Sequence, residues 1–496
     1  MCPPCKSLLE SGKAETLLKY LRLFVIAVFA LVAAYLLFVV RPADSSHKEG
    51  RTVITYWEKW SGEDAAAMQT IVDDFNNTVG KQQNIYVQYL SMSNVDQKTL
   101  VATAAGVPPD VAGLWNTQVA QFAEIGALEP LDDLARAAGV SAADYKPVLW
   151  EGCRYNGRLW AMVSSCGSQA LFYNKRLFAQ KGDALRAAGL DPARLPRTLD
   201  ELDRYAAALD EQETLPGGFK RLKRSGFLPT EPGWYLSFIG YWFGAPIYDA
   251  KTDRILLTDP RMIRGLDWVR GYSLRLGKDS LGEFRSGFGS FNSTQNPFIA
   301  QTVAMELQGP WMTNSFEKFR PAMNHANVPR SREAGMTALE RQNNCEYGVA
   351  PFPAADGAGA SEITFANFDV LMIPRGAKHK KEAFAFIAFV NSQAQTEKLN
   401  LLNCQNSPRR VVSQHFLDTH PNPYIGVFER LLAAPGARGV PSCPIWPEVG
   451  AELDNATQRV ALLDATPEQA LRDAQARVDE KYRQFRLRQQ ARRAAR

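Results

Sequence analysis

The residues with chemistry to offer are aromatic and polar side chains at the ends of apolar runs. Trp57-Glu58-Lys59-Trp60-Ser61 closes the β-rich run 52–57, and Trp115-Asn116-Thr117-Gln118 closes the strand-like run 110–115. Glu231 and Trp234 stand in an aromatic-dense stretch at 230–248, Gly309-Pro310-Trp311 ends a strand-like run at 301–312, and Asn367 and Asp369 interrupt another at 365–374. Flat rings beside Asp, Glu and Asn suit a polyhydroxylated ligand, whose C–H faces stack on rings while its hydroxyls need directional partners. Trp57, Trp60, Trp115, Trp234, Tyr235, Trp242, Trp311 and Trp446 all fall near expected loop ends; the competing reading of each is a core tryptophan. Phe238, Phe243 and Trp268 are assigned to the core.

Other chemistry finds no support. None of the five histidines stands in HExxH or a comparable ligand spacing. There is no G-x-S-x-G elbow and no P-loop, and Gly287-Phe288-Gly289 lacks the third glycine of a dinucleotide fingerprint. Paired acids such as Asp73-Asp74 and Asp132-Asp133 read as solvated surface. Nothing specific proposes a glycosidase pair of carboxylates. The expectation is no catalytic residue, no metal and no cofactor, with a pair of carboxylates facing across a cleft left open by the residues themselves.

The elements that would position these residues are α/β. Strand-like runs at 52–57, 85–90 and 110–115 alternate with helical patterns at 62–76, 95–105 and 119–125, which implies a largely parallel sheet with ligands at the strands' carboxyl ends. Thr198 with Glu201 three residues later forms a capping box for a further helix. At 496 residues, the chain is too long for one ordinary core. Its 22% charged and 46% hydrophobic content is that of a globular protein, and its net charge of +5 is small. Lys481–Arg496 carries seven Lys/Arg and no acid, which reads as a solvated helix end rather than a nucleic-acid arm, with an anionic membrane surface as a secondary partner.

Leu23–Val40 is an uninterrupted apolar run that would reach roughly 27 Å as a helix, close to a bilayer's hydrocarbon thickness. Lys6, Lys13, Lys19 and Arg22 outweigh Glu10 and Glu15 before it, and no A-x-A or lipobox pattern follows it. The expectation is an uncleaved, single-pass signal anchor in the cell membrane, with everything from about Pro42 extracytoplasmic. Of the seven cysteines, Cys2 and Cys5 then lie on the cytoplasmic side. Among the five beyond the anchor, Cys404–Cys443 is the expected disulfide.

Tyr155–Lys175 begins with a turn at Asn156-Gly157, runs as a strand, turns polar at Ser164–Gln169 and resumes as apolar Ala170–Tyr173 before Asn174-Lys175. The residues alone fit either an ordinary hairpin and loop or a chain crossing between two lobes. The stretch resembles the crossing segment of extracellular solute-binding proteins of the maltose-binding type, which serve ABC importers. The resemblance extends in order along the chain. It includes Val53–Phe75, Pro109-Asp110-Val111 with Trp115, Gly126–Leu131, Pro196–Leu202, Glu231-Pro232-Gly233-Trp234, Ala304-Met305 with Gly309-Pro310-Trp311, and Tyr347–Pro353. It covers about 52–455. It departs at Phe365-Ala366-Asn367-Phe368-Asp369, where relatives often carry glycines, and the polar ligand set is not that of maltose binders.

The resemblance implies a two-lobed, type II-like α/β fold of the periplasmic-binding-protein kind, carried behind an N-terminal transmembrane helix. The expected organisation is a cytoplasmic N-terminus at 1–22, the anchor at 23–40 and a linker at 41–51. Lobe 1 would then comprise 52–163 with 366–412, lobe 2 would comprise 164–365 with 413–480, and a basic tail would occupy 481–496. It implies capture of a sugar or oligosaccharide in the interlobe cleft by hinge closure, delivery to ABC permease subunits and no nucleic-acid partner. Trp60, Trp115, Trp234 and Trp311 would stack, and Glu58, Asn116, Glu231, Asn367 and Asp369 would supply polar contacts. The alternatives are an extracytoplasmic ligand sensor for a membrane signalling partner, a carbohydrate-active enzyme, or a binder of a non-sugar solute such as a polyamine or glycerol phosphate.

Overall fold

A computed structural model describes Tyr20, Leu21, Phe24, Ala27, Val28, Lys48 and residues 50–360 and 362–494. The chain divides into two compact units, Met1–Val53 and Ile54–Arg496. The expected anchor at 23–40 lies outside the described residues except for Phe24, Ala27 and Val28. These three are helical, as are Tyr20 and Leu21, and Tyr20, Leu21, Phe24 and Val28 are exposed. No helix among the described residues is long and apolar enough to cross a membrane. Cys2 and Cys5 also lie outside the described residues.

The strands of the two main sheets are β1 (Thr52–Glu58), β2 (Ile85–Ser91), β3 (Val111–Trp115), β4 (Met162–Gly167), β5 (Ala170–Asn174), β6 (Glu211–Thr214), β7 (Lys220–Phe227), β8 (Val303–Gln308), β9 (Tyr347–Ala350) and β10 (Asn367–Met372). They build two five-stranded sheets, ordered β2-β1-β3-β10-β4 and β9-β5-β8-β7-β6. In the first, β1 and β3 run parallel and β10 enters antiparallel between β3 and β4. In the second, β5 is antiparallel to both β8 and β9, and β8 is parallel to β7. Strands covered on both faces read as continuous buried runs, as β4 and β8 do. Each sheet has its own apolar core. One gathers Ile54, Phe75, Leu114, Phe122 and Phe386; the other gathers Tyr205, Phe227, Trp242, Leu266 and Leu471. The molecule is thus a two-lobed α/β fold.

Three chain crossings join the lobes, and they are bonded to one another. β4 passes into β5 through Ser168-Gln169, β10 follows Phe365-Ala366, and a third strand of chain crosses near Cys404–Arg409. Asn406 N donates to Cys166 O at 2.8 Å and Asn406 Oδ1 accepts from Ser168 N at 2.9 Å. Thr364 Oγ1 accepts from Gln169 N at 2.7 Å and donates to Gln169 O at 2.9 Å. Lys146 Nζ donates to the carbonyls of Ser407 and Arg409 and pairs with Glu429 at 2.8 Å, inside the protein.

The hairpin expected at Asn156-Gly157 is present, with both residues at positive φ between Arg154–Tyr155 and Arg158–Leu159. The polar interruption at 164–169 is not a break. β4 runs through Ser164, Ser165 and Cys166, because the serines are buried against β10 and Ser165 Oγ finds Asn400 Oδ1 at 2.8 Å. At Thr198 half of the capping box forms. Thr198 Oγ1 accepts from Glu201 N, but the Glu201 carboxylate turns to Arg194 and to Arg197 N instead of to the N-cap residue's own N–H.

The expected Cys404–Cys443 disulfide is overturned, as both cysteines are free and buried. Cys404 sits at positive φ in the third crossing with its Sγ toward Pro310 O at 3.2 Å, whereas Cys443 packs in the second lobe's core beside Ile445 and Trp446. The basic segment 481–496 is not a separate frayed end among its described residues, since one helix runs Pro467–Ala494 and Lys481 and Arg486 are ion-paired.

Candidate functional site

In lobe 1 the site grows from the end of β1. Alternation along the strand puts Tyr56 and Glu58 on one face, and Tyr56 Oη donates to Glu58 Oε2 while Lys59 N donates to Oε1 at 2.7 Å. Glu58 faces Gly113 across the β1–β3 register, and a Cβ there would sit 1.9 Å from Glu58 Oε2, so only glycine fits. With no exposed surface and both oxygens engaged, Glu58 supports the site from below. What it supports is Lys59, whose ammonium lies 2.8 Å from Asp369 Oδ1 and 3.4 Å from Glu58 Oε1. Burial disfavours the lysine's charge, but Asp369 and Glu58 outweigh it and hold its pKa above the usual value.

Two rings flank that lysine, with their centroids 5.4 Å (Trp60) and 5.1 Å (Trp115) from Nζ. Trp60 Nε1 donates to Asp369 Oδ2 at 3.0 Å, which fixes the carboxylate from its other side. Asp369 is opposite Trp115 in the β10–β3 register, which is how residues far apart in sequence come together. Trp115 is 41% exposed, an open aromatic face on a fixed base. The next residue, Asn116, is buried, and both polar atoms of its side chain lack a hydrogen-bond partner in the protein.

In lobe 2 the site grows from the end of β8. Trp311 folds back over Gly309, where a Cβ would stand 2.0 Å from the ring, and over Gly167 in the crossing, where it would stand 2.6 Å away. Trp234 leans on Trp311 with centroids 5.7 Å apart and is 37% exposed. Glu231 pairs with Arg285 at 2.7 Å; burial raises its pKa, and Arg285 offsets part of that rise.

A cavity of about 480 Å³ lies between the lobes, and of the side chains described so far Trp311 alone lines it. It is lined by Ser61–Asp64 from lobe 1, by Phe291, Trp311 and Lys318 from lobe 2, and by Asn367 and Gln405 from the crossings. That volume suits a small-molecule site of roughly 300–1,000 Å³. Glu63 and Lys318 pair across it at 2.9 Å. Of the nine residues expected at the site, Trp60, Trp115 and Asp369 are brought into direct contact with Lys59, Trp234 touches Trp311, and Trp311 and Asn367 line the cavity. Glu58 lies beneath the surface, Asn116 is buried next to Trp115, and Glu231 is committed to Arg285. Tyr235, Trp242 and Trp446 belong to the core, Trp446 stacked on Phe238 at 5.2 Å. Among the described residues no cluster of His, Cys, Asp and Glu is arranged to hold a metal.

Sequence reasoning missed Lys59 as a site residue, although it stands between Glu58 and Trp60. It also missed Glu306. This β8 carboxyl is buried with Oε2 unpartnered, and burial pushes its pKa to about 8, opposed by a bond from Gln308. A lone acid inside Ala304–Leu307 gives no signal of its own beyond being out of place in an apolar run.

Residues 59–397 match the model of the bacterial extracellular solute-binding protein family, and the chain belongs to that family. Among curated relatives, the maltotriose-binding protein of Pyrococcus abyssi is 19% identical over 70% of this chain, a match spanning 64% of that protein's length. A putative binding protein of Brucella abortus is 24% identical over 77% of this chain and 82% of its own. Among solved structures, CpMnBP1 with mannobiose bound superposes with a TM-score of 0.68 at 25% identity, covering 86% of this chain and 98% of that one. The sugar-binding protein MalE from Xanthomonas citri shares the fold at 22% identity, with a TM-score of 0.65 over 88% and 100% of the two chains.

Proposed function

We propose that this protein is a membrane-anchored, extracytoplasmic solute-binding component of an ABC importer that captures a sugar or oligosaccharide between its two lobes. The observation that carries the reading is the pair of aromatic faces on fixed polar supports, Trp115 over Lys59–Asp369 in one lobe and Trp234 with Trp311 in the other, while Trp60 is buried in the lobe 1 core and holds Asp369 from behind. A sugar ring stacks on such faces, while Asn116, Asn367 and Asp369 take its hydroxyls. Lobe boundaries at 52–163 with 366–412 and at 164–365 with 413–480 place the hinge at the three bonded crossings. A ligand that touches both lobes favours their approach, so capture is a population shift. The mannobiose-bound structure and the maltotriose-binding relative support the sugar class. The exposed apolar helical residues Tyr20, Leu21, Phe24 and Val28 support an anchor, and no step requires catalysis.

The electrostatics argue against an anionic solute such as glycerol phosphate. Lys59 and Lys318 are both committed to carboxylates, and Glu63 and Asp64 line the cavity. The test is titration of the full-length protein with mannobiose, maltotriose, a polyamine and glycerol phosphate, followed by tryptophan fluorescence. A saturable change with a sugar, weakened about tenfold by Trp311→Ala, is the expected result. A response to the amine or the phosphate alone overturns the sugar class, and no response to any of them overturns the cleft.

A further inference from the structure

The C-terminal helix Pro467–Ala494 packs its first half into the core of lobe 2 through Ala470, Leu471, Ala474 and Val478. Its last described turns do something different. Arg486 Nη2 lies 2.6 Å from Asp253 Oδ2, and Arg486 Nη1 lies 3.4 Å from Glu124 Oε1. Asp253 belongs to the hairpin turn Tyr248–Ile255 of lobe 2, whereas Glu124 ends the helix Val119–Glu124, whose Val119, Ala120, Phe122 and Ala123 are lobe 1 core. One guanidinium therefore holds a carboxylate on each lobe, through two different nitrogens of its planar fork.

Both carboxylates are built to receive it. Glu124 is only 4% exposed at its side chain and accepts a second bond, at 3.0 Å, from Tyr155 Oη of the lobe 1 hairpin. Asp253 sits at φ 55 and accepts from Tyr248 Oη and Tyr482 Oη. Tyr482, one turn before Arg486, also accepts from the guanidinium, which lies 4.8 Å from its ring. The contact roofs a cavity of about 610 Å³ between the lobes, lined by Arg154, Tyr155 and Asn156 on one side and Tyr248 and Ala250 on the other. It is separate from the Trp311 cavity.

We propose that Arg486 is a positioning residue for solute capture. It straps lobe 1 to lobe 2 as a fourth, non-covalent crossing and favours the arrangement in which Glu63 and Lys318 meet across the binding cavity. Both contacts are made in the same structure, so the strap and the approached lobes are compatible. A solute that needs both lobes binds with an apparent affinity set by the fraction of molecules already so arranged. The strap raises that fraction without touching the solute. The consequence for affinity rests on the proposed solute-binding role; the strap itself does not.

The experiment compares the full-length wild type with Arg486→Ala, Arg486→Lys and Glu124→Gln by small-angle scattering without solute, by mannobiose titration and by thermal unfolding. All three variants are expected to enlarge the solute-free radius of gyration and to weaken mannobiose binding about fivefold, while the saturated complexes keep the wild-type radius. Arg486→Lys should fall short of rescue, because Glu124 and Asp253 are reached by two separate nitrogens of the fork and lysine offers a single one. Unchanged scattering and affinity would overturn the strap, as would a smaller radius with tighter binding. A merely structural role would lower Tm in all three and leave the solute-free radius of the folded protein alone. Should the wild type ignore mannobiose and maltotriose alike, the sugar reading fails and the scattering comparison still decides the strap.

Discussion

Two buried titratable residues bias the fold in opposite directions with pH. His420 is fully buried; its Nδ1 accepts from Asn422 N at 3.0 Å and its Nε2 reaches Gln405 O at 3.1 Å. Burial lowers its pKa to about 4, the carbonyl bonds opposing. The unfolded chain then takes up a proton that the folded one refuses, so this stability is present above about pH 6.5 and is lost as pH falls toward 4. Glu306 behaves in reverse. Its folded pKa of about 8 means the native state keeps a proton that the unfolded chain releases near 4.5, so its share of stability is lost as pH rises to 8. Glu306→Gln should therefore raise Tm relative to wild type at pH 8.5 and not at pH 4.5, and His420→Gln should flatten the acid limb of a Tm–pH profile. Neither behaviour was legible in the sequence. A histidine and a glutamate outside any motif differ from surface residues only by burial, which depends on elements hundreds of positions away.

The element that matters most is the bonded set of crossings. Lys146 ends an extended residue before the helix Pro147–Gly152 and pairs with Glu429 of the helix Ile425–Ala433, both almost wholly buried. Removing one partner strands the other, so Lys146→Met should cost about 3–5 kcal/mol in denaturant unfolding. By contrast, Thr198→Ala removes one N-cap bond and should cost about 1 kcal/mol. The cap and the Asn156-Gly157 turn were readable because both are local chemistry. The direction of β4 through Ser164 and Ser165 was not, since Ser165's partner, Asn400, lies on a helix more than two hundred residues away.

At the scale of the molecule, the family and the two-lobed α/β fold followed from motifs spread in order along the chain, whereas the strand order, with β10 entering between β3 and β4, did not. The disulfide did not follow. Proline-rich surroundings made Cys404 and Cys443 look like loop residues, yet burial raises both thiols to about 12. The expected outcome is that a thiol reagent at pH 7 leaves Cys153, Cys166, Cys345, Cys404 and Cys443 unmodified in the native protein and modifies all five in denaturant. A reductant should leave Tm unchanged.

The placement of β10 sets when, during synthesis, the first lobe can complete its fold. This strand lies in the middle of the lobe 1 sheet, yet it is Asn367–Met372 in a chain of 496 residues. Until it emerges from the ribosome, β3 and β4 each present a bare edge and the first lobe cannot close its sheet. The N-terminal lobe is thus among the last parts of the molecule to be finished. Late completion leaves those two edges exposed to pairing with other nascent chains until β10 arrives.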